Sequence, residues 1–233
     1  MIYPFVKRFG DLLASLVGMT LFLPFFIPLA IALKLTGEGY VFYLQERIGF
    51  RNQPFKIWKF ATMLKASPSL GTGSITVKND WRLTPLGKYL RGSKVNEIPQ
   101  LINIFIGNMS VVGPRPLMKV DFMKFSPEVQ ARFYECKPGL TGIASLIFRD
   151  EEKYYHDIQI DPHEFDRLYI APYKGKLEAW YALNCSFKTD FLIILLTAAA
   201  VFSSDQKMAF RVFKNLPPLP ETIATAHHSG ERS

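Results

Sequence analysis

A chain of 233 residues can hold one sizeable core, or one core plus a membrane element. Its 28 basic against 20 acidic residues, a formal charge of +8, suit an anionic partner: phospholipid head groups, phosphorylated substrates or nucleic acid. Zinc-finger spacing and RNP-like aromatic signatures are missing, which argues against nucleic acid. Cys136 and Cys185 lack metal-type spacing and read as reduced core residues of a cytosol-facing protein. The histidines form no HxxxH pair, and His227 and His228 lie in a polar tail.

Lys7 and Arg8 precede an apolar run from Leu12 to Leu33, which would reach ~33 Å as a straight helix, enough to span a bilayer. Pro24 and Pro28 interrupt it. Each removes a helical N–H at a depth where lipid offers no water in exchange. With basic residues at both ends (Lys7, Arg8, Lys34), the pattern predicts a bent helix that enters and leaves one leaflet, with both ends cytoplasmic. A kinked straight anchor is the alternative. A signal peptide is disfavoured by the lack of an A-x-A site.

Gly37-Glu38-Gly39 marks a turn, and Tyr40 to Leu44 a short strand. In QERIGFRNQPFKIWKF, Arg47, Arg51, Lys56 and Lys59 interleave with Phe50, Phe55, Trp58 and Phe60. Alternation through Phe55, Ile57 and Lys59 predicts a strand, either an ordinary basic edge or an interfacial surface with cations on lipid phosphate. Ala66 to Lys78 reads as a mobile loop, Asn79-Asp80 as a turn into a helix over Leu86 to Leu90. Lys119 to Cys136 is predicted to be mostly helical and to restart at Ser126-Pro127. Lys137-Pro138-Gly139 breaks it. Asp161-Pro162 starts a further helix, and Trp180 and Tyr181 belong to another. Phe191 to Phe202 is apolar but too short to span, hence buried or interfacial. A loose polar tail is expected from Ser203. The expected domains are therefore a membrane helix over 1–36, a cytosolic domain over 37–202 and a tail over 203–233.

The central stretch is RGSKVNEIPQLINIFIGNMSVVGPRP, Arg91 to Pro116. Pro99 is tolerated in a first turn, so a helix is predicted to start near Asn96 and run through Leu101, Ile102, Phe105 and Ile106. Such a start favours phosphate. Arg115 between Pro114 and Pro116 sits on a preordered extended arm, and its planar guanidinium suits phosphate oxygens. Taken singly, Asn96 reads as a helix cap, Glu97 as a first-turn charge and Arg115 as surface.

Together these motifs resemble a family, the bacterial sugar transferases, that is, the small monotopic phosphoglycosyl transferases. The resemblance covers roughly residues 3 to 200. It rests on KRFGD at 7–11, Pro24, VFYLQERIG at 41–49, KFATM at 59–63, NDWRLT at 79–84, the block 90–116, KPGLTG at 137–142 and the WY…D segment at 180–190. It implies a mostly helical α+β monotopic membrane protein, with a re-entrant helix broken at Pro24 and a cytosolic domain with interfacial amphipathic helices. The implied location is the cytosolic face of the bacterial inner membrane. The implied reaction moves a sugar 1-phosphate from a nucleotide sugar, commonly a UDP-sugar, to polyprenyl phosphate. UMP leaves, and surface polysaccharide or glycoconjugate assembly begins. In the family an Asp-Glu dyad with Mg²⁺ carries this reaction, the Asp attacking phosphorus. By resemblance, Glu97 matches the dyad Glu and is the expected Mg²⁺ ligand, while Arg91 and Arg115 match the phosphate-holding arginines. Lys59 and Arg47 are candidates for substrate or lipid-phosphate contacts. A homo-oligomer is compatible with the sequence, and the sugar is not legible.

The chain departs from the family at four positions. The dyad Asp is Asn96, GDMS becomes GNMS with Asn108, the arginine of KFRSM is Ala61, and the Ser of the membrane Ser-Pro break is Leu23. An amide is a poor nucleophile and a weaker Mg²⁺ ligand than a carboxylate. Three readings stand: direct attack by the lipid phosphate, Glu97 as nucleophile, or a non-catalytic membrane-bound binding or regulatory protein.

Overall fold

The computed structural model describes residues 2–70, 80–149, 154, 160–202 and 208–224. Asn79, His156, His227, His228 and most of the loop expected over 66–78 lie outside them. The chain divides into two compact units, Met1–Arg47 with Pro54–Val111, and Ile48–Gln53 with Val112–Ser233. Among the described residues the fold is mostly helical, with four short strands.

The first unit is built on α1 (Tyr3–Thr36). Pro4 occupies its first turn, where a missing N–H goes unnoticed. The helix is assigned as one run through Pro24 and Pro28, and it is the one described helix long and apolar enough to cross a membrane. Its inward positions recur at helical spacing: buried Asp11 and Ser15, Gly18 against Leu101, then Phe22, Phe26, Leu29 and Leu33 in a cluster with Phe60 and Leu90. A methyl at Gly18 would stand 2.9 Å from Leu101 Cδ1, so α1 meets the leucine of α3 (Gln100–Ile106) closely at this glycine. Phe5, Phe9, Leu21, Phe25, Ile27 and Ile31 on other faces are exposed.

β1 (Phe42–Ile48) pairs with β2 (Pro54–Phe60), so the strand expected at 40–44 begins two residues later and runs on through Arg47. β2 buries Ile57 and Phe60. Its backbone is also held by a side chain: Asn103, fully buried, donates from Nδ2 to the Lys56 carbonyl (2.8 Å) and accepts the Trp58 N–H (2.9 Å). The amide thus imitates a neighbouring strand. α2 (Pro85–Gly92) is capped by Thr84, whose hydroxyl accepts the Gly87 N–H at 3.0 Å.

The N-terminal charges are used inside the protein. Arg8 donates to the carbonyls of Ile104 and Phe105, each at 2.7 Å, closing the C-terminal end of α3. Asp11 accepts the Ser110 hydroxyl (3.0 Å) and the Val111 N–H (2.9 Å). The chain then leaves the first unit along β3 (Ser110–Val112).

In the second unit, α4 (Lys119–Phe122) and α5 (Pro127–Phe133) are separate helices, as Ser126-Pro127 predicts. Phe122, Phe125, Phe133, Tyr134 and Ala171 form an aromatic core with Ile48. β4 (Gly139–Thr141) and α6 (Ile143–Ile147) follow. Asp161 caps α7 (Pro162–Phe165) by accepting the N–H groups of His163 and Glu164. A π-helical turn, Asp166–Ile170, leads into α8 (Ala171–Asn184). α9 (Phe187–Phe202) buries Ile193, Leu196 and Ala200 and exposes Phe187, Phe191, Ile194 and Leu195, so the run too short to span is buried on one side only. Neither cysteine is in a disulfide, and both are half-buried.

Part of the stretch expected to be a loose tail is packed; residues 203–207 lie outside the described part. α10 (Met208–Val212) and the residues after it bury Ala209, Phe213, Leu216 and Ile223. Phe213 meets Trp180 edge-on (5.2 Å), and Tyr173 donates its hydroxyl to the Pro217 carbonyl (2.8 Å). Residues 225–233 lie outside the described part.

Asn103→Ala strips the Trp58 N–H and the Lys56 carbonyl of their partner. Each unsatisfied buried group costs ~1–3 kcal/mol, so the detergent-solubilised variant should melt several degrees lower by circular dichroism. An unchanged melting temperature would show that β2 does not depend on this side chain.

Candidate active site

The segment before α3 is not the helix start that Pro99 and the apolar spacing predict. Lys94 takes a left-handed conformation (φ 59°) and opens a 3₁₀ turn, Val95–Glu97; the α-helix begins only at Gln100, with Pro99 as its cap. The N–H groups of Glu97 and Ile98 are consumed by the carbonyls of Lys94 and Val95 at 3.0 and 3.1 Å. The row of free N–H groups expected near Asn96 is therefore reduced by the turn itself. The predicted stripe shifts as well: α3 buries Gln100, Asn103 and Ile104, whereas Phe105 and Ile106 are exposed.

The turn brings three of the sequence candidates together. Lys59 Nζ at the end of β2 stands 3.7 Å from Glu97 Oε1, with both side chains mostly buried. Asn96 beside them is 5 % exposed, and its Oδ1 has no hydrogen-bond partner among the described residues. A buried carbonyl oxygen in that condition is costly unless something donates to it or a cation meets it. Arg91, in the last turn of α2, directs Nη1 to Met63 Sδ (3.4 Å). Arg47 is turned to its own strand: Nε and Nη2 donate to Gln45 Oε1 at 3.1 and 2.5 Å. Of the departures, Ala61 is buried and Asn108 is exposed. The charges of NDWRLT are structural. Arg82 is buried, bonds Asp80 through Nε and Nη2 (2.8 and 2.5 Å), and donates Nη1 to the carbonyls of Ser67 and Leu70.

Arg115 belongs to the second unit. It is exposed while Gly113, Pro114 and Pro116 around it are buried. The arm is zipped backbone to backbone onto KPGLTG: Gly113 N–H to Thr141 O (2.9 Å) and Gly139 N–H to Pro114 O (2.8 Å). An added methyl at Gly139 would lie 2.1 Å from Gly113 N, and one at Gly113 2.2 Å from the Lys137 carbonyl, so the two motifs need glycine at their contact. Beyond it, Arg115 N–H points at Glu178 Oε1 (3.3 Å). The Tyr134 hydroxyl donates to Arg115 O (2.9 Å) and accepts Leu117 N–H (2.8 Å).

Glu178 and Tyr134 are residues that the sequence did not single out. A lone glutamate among Leu177, Ala179 and Trp180 is its only signal. Glu178 is 2 % exposed, and burial raises its carboxyl from the ordinary 4.5 to about 8, the Arg115 N–H and the charges of Lys174 and Arg115 offsetting only part. The unfolded chain releases this proton above about 4.5 and the folded chain keeps it up to about 8. Stability should therefore fall as pH climbs through that window and level off above it. Glu178→Gln should flatten this part of a plot of melting temperature against pH, with its gain at pH 8 rather than pH 5. Equal slopes in the two proteins would show that Glu178 ionises normally.

A family profile described as bacterial sugar transferase matches residues 2–204. The chain is 33% identical over 202 residues to the uncharacterized sugar transferase EpsL of Bacillus subtilis, covering 86% of this chain and 89% of that one. It is 30% identical over 204 residues to a UDP-N-acetylgalactosamine-undecaprenyl-phosphate N-acetylgalactosaminephosphotransferase of Aeromonas hydrophila, covering 87% of this chain and 45% of the relative. It is 34% identical over 188 residues to a UDP-glucose:undecaprenyl-phosphate glucose-1-phosphate transferase of Klebsiella pneumoniae, covering 79% and 39%. The chain thus spans less than half the length of the last two. On the strength of a match across nearly all of its length before α10, this chain belongs to the bacterial sugar transferases.

Proposed function

We propose that the protein is a phosphoglycosyl transferase that moves a sugar 1-phosphate from a UDP-sugar to polyprenyl phosphate, at the start of polysaccharide or glycoconjugate assembly. The observation that carries the reading is the ion pair of Lys59, at the end of β2, with Glu97, next in sequence to buried Asn96, whose carbonyl oxygen has no hydrogen-bond partner among the described residues. Relatives named as undecaprenyl-phosphate transferases support the reaction class. Direct transfer is the step that this residue set serves best. An oxygen of the lipid phosphate attacks the sugar-bearing phosphorus in line, the bond to the bridging oxygen breaks, and UMP leaves with that oxygen. The attacking phosphate is already anionic, so no general base is needed. Positioning and charge supply the rate. Arg91 and Arg115 are the proposed holders of donor phosphate, and Lys59 adds a point charge at the carboxylate.

Mg²⁺ fits this turn. Among the described residues no three His, Cys, Asp or Glu side chains cluster, but Mg²⁺ needs only one or two carboxylates plus substrate phosphates. Glu97 would hold it, with Asn96 Oδ1 as a neutral second oxygen; when bound, it neutralises charge on the diphosphate. Asn96 favours one second reading, a binding protein that lacks the nucleophile. Purified protein with undecaprenyl phosphate and Mg²⁺ should release UMP from at least one of UDP-glucose, UDP-galactose and UDP-N-acetylgalactosamine. Glu97→Gln should abolish release, and donor radiolabel should not remain on the protein. A silent wild type with an active Asn96→Asp would establish the second reading. Silence of both with every donor would end the transferase reading, and label trapped on residue 96 would refute direct transfer.

We further propose that α1 dips into one leaflet of the bacterial inner membrane, bent near Pro24, with both ends cytosolic. Its inward face packs within the first unit from Asp11 to Leu33. An upright crossing would drag β2, with Lys56 and Lys59, into hydrocarbon. The Thr20 hydroxyl donates to Leu16 O at 2.9 Å one turn before Pro24, a bond that favours bending. With Cys136 and Cys185 replaced by serine, Ile2→Cys and Lys88→Cys should both resist membrane-impermeant maleimide in intact cells. Labelling at residue 2 alone would establish a simple span.

A further inference from the structure

Between Gly113 and Leu117 the arm carries prolines at 114 and 116, so Arg115 and Leu117 supply its only N–H groups beyond Gly113. Neither is taken by a strand. Arg115 N–H faces Glu178 Oε1 from α8 at 3.3 Å, and Leu117 N–H bonds the Tyr134 hydroxyl at 2.8 Å, which itself donates to Arg115 O at 2.9 Å. Tyr134 is 1 % exposed, stacked on Phe122 (5.8 Å) and edge-on to Phe133 (4.9 Å), so its hydroxyl stands on a fixed ring. Glu178 is equally fixed, and its Oε2 has no hydrogen-bond partner among the described residues. Lys174 on its own helix and Arg115 on the arm are the charges acting on it. A leucine would suit that apolar position better by burial alone.

We infer that Glu178 and Tyr134 are positioning residues: gripping the N–H and C=O of Arg115 from two sides, they fix where its exposed guanidinium stands for the diphosphate of a nucleotide donor. This rests on the reading of Arg115 as a phosphate-holding residue. The division of labour follows from the backbone. Prolines set the arm's extended shape but remove two of its N–H groups; backbone bonds hold it at Gly113, Pro114 and the Leu117 carbonyl, and two buried side chains hold the stretch at Arg115 between them. Neither side chain is required to touch donor.

The test uses the full-length protein in detergent, with UDP as probe and isothermal titration as readout. Glu178→Leu and Tyr134→Phe should each weaken UDP binding roughly tenfold, the loss expected for a hydrogen bond of this kind. Glu178→Gln retains a carbonyl oxygen for the Arg115 N–H and should stay within about threefold. On an Arg115→Ala background, Glu178→Leu should add nothing, because its effect passes through that guanidinium. Unchanged UDP affinity in a folded Glu178→Leu or in Tyr134→Phe would overturn the inference, as would full additivity with Arg115→Ala. Should Glu178→Leu fail to fold, Tyr134→Phe and its cycle with Arg115→Ala decide the matter. If Arg115→Ala itself binds UDP normally, the phosphate reading of the arm falls, an outcome distinct from loss in Arg115→Ala without loss in Tyr134→Phe.

Discussion

The carboxylate of Asp11, buried in α1 and bonded to the Ser110 hydroxyl and the Val111 N–H, is the tie on which the first unit depends. Arg8, one turn earlier, holds the last carbonyls of α3. Between them the two charges fix α1 to the C-terminal end of α3 and to the strand that follows. The other end of α3 carries the turn with Asn96 and Glu97. The helix read as the membrane element is thereby a structural wall of the unit that carries this turn. Anything that tilts α1 must move α3, and anything that moves α3 disturbs Asn103 and the strand bearing Lys59.

At the turn, an amide stands where the resemblance implies a carboxylate, and the difference has a physical consequence. An aspartate buried as deeply as Asn96 would need a cation or several donors to remain charged. The amide escapes that penalty, keeps a carbonyl oxygen in the same place, and gives up nucleophilicity. The pair Asn96-Glu97 therefore carries one carboxylate where the resemblance implies two. Glu97, beside the Lys59 ammonium, is left as the carboxylate of the turn.

Periodicity and proline chemistry made much of the fold legible. Ser126-Pro127 and Asp161-Pro162 announced helix starts because a cap followed by proline has few other uses. The turn before α3 was hidden because the left-handed backbone of Lys94 leaves no mark on composition. Phe213, Leu216 and Ile223 were hidden among prolines, without the spacing of a helix or strand to reveal their burial. Around the turn, Glu97, Asn96 and Lys59 were named from their motifs, and the structure brings Lys59 to Glu97. Glu178 was not, since a single glutamate on a helix ordinarily faces water. Arg8 was read only as a basic flank of the apolar run, because a sequence gives no sign that a carbonyl from residue 104 will meet it. Arg47, a candidate for phosphate, donates to Gln45 on its own strand, a contact that its motif does not announce.

The inward face of α1 also sets an order of events in the making of the protein. Its partners at Ser110 and Val111 lie 99 and 100 residues further along the chain. At ~5–20 residues per second, the ribosome delivers them roughly five to twenty seconds after the helix itself. Throughout that interval Asp11 has no final partners, and the phenylalanines of the inward stripe have no core until Phe42, Phe60 and Leu90 follow. Lipid, or whatever meets the nascent helix, must accommodate a surface meant for protein. The helix has to be held loosely enough to release that face when α3 arrives, so early insertion and later packing compete for the same side chains.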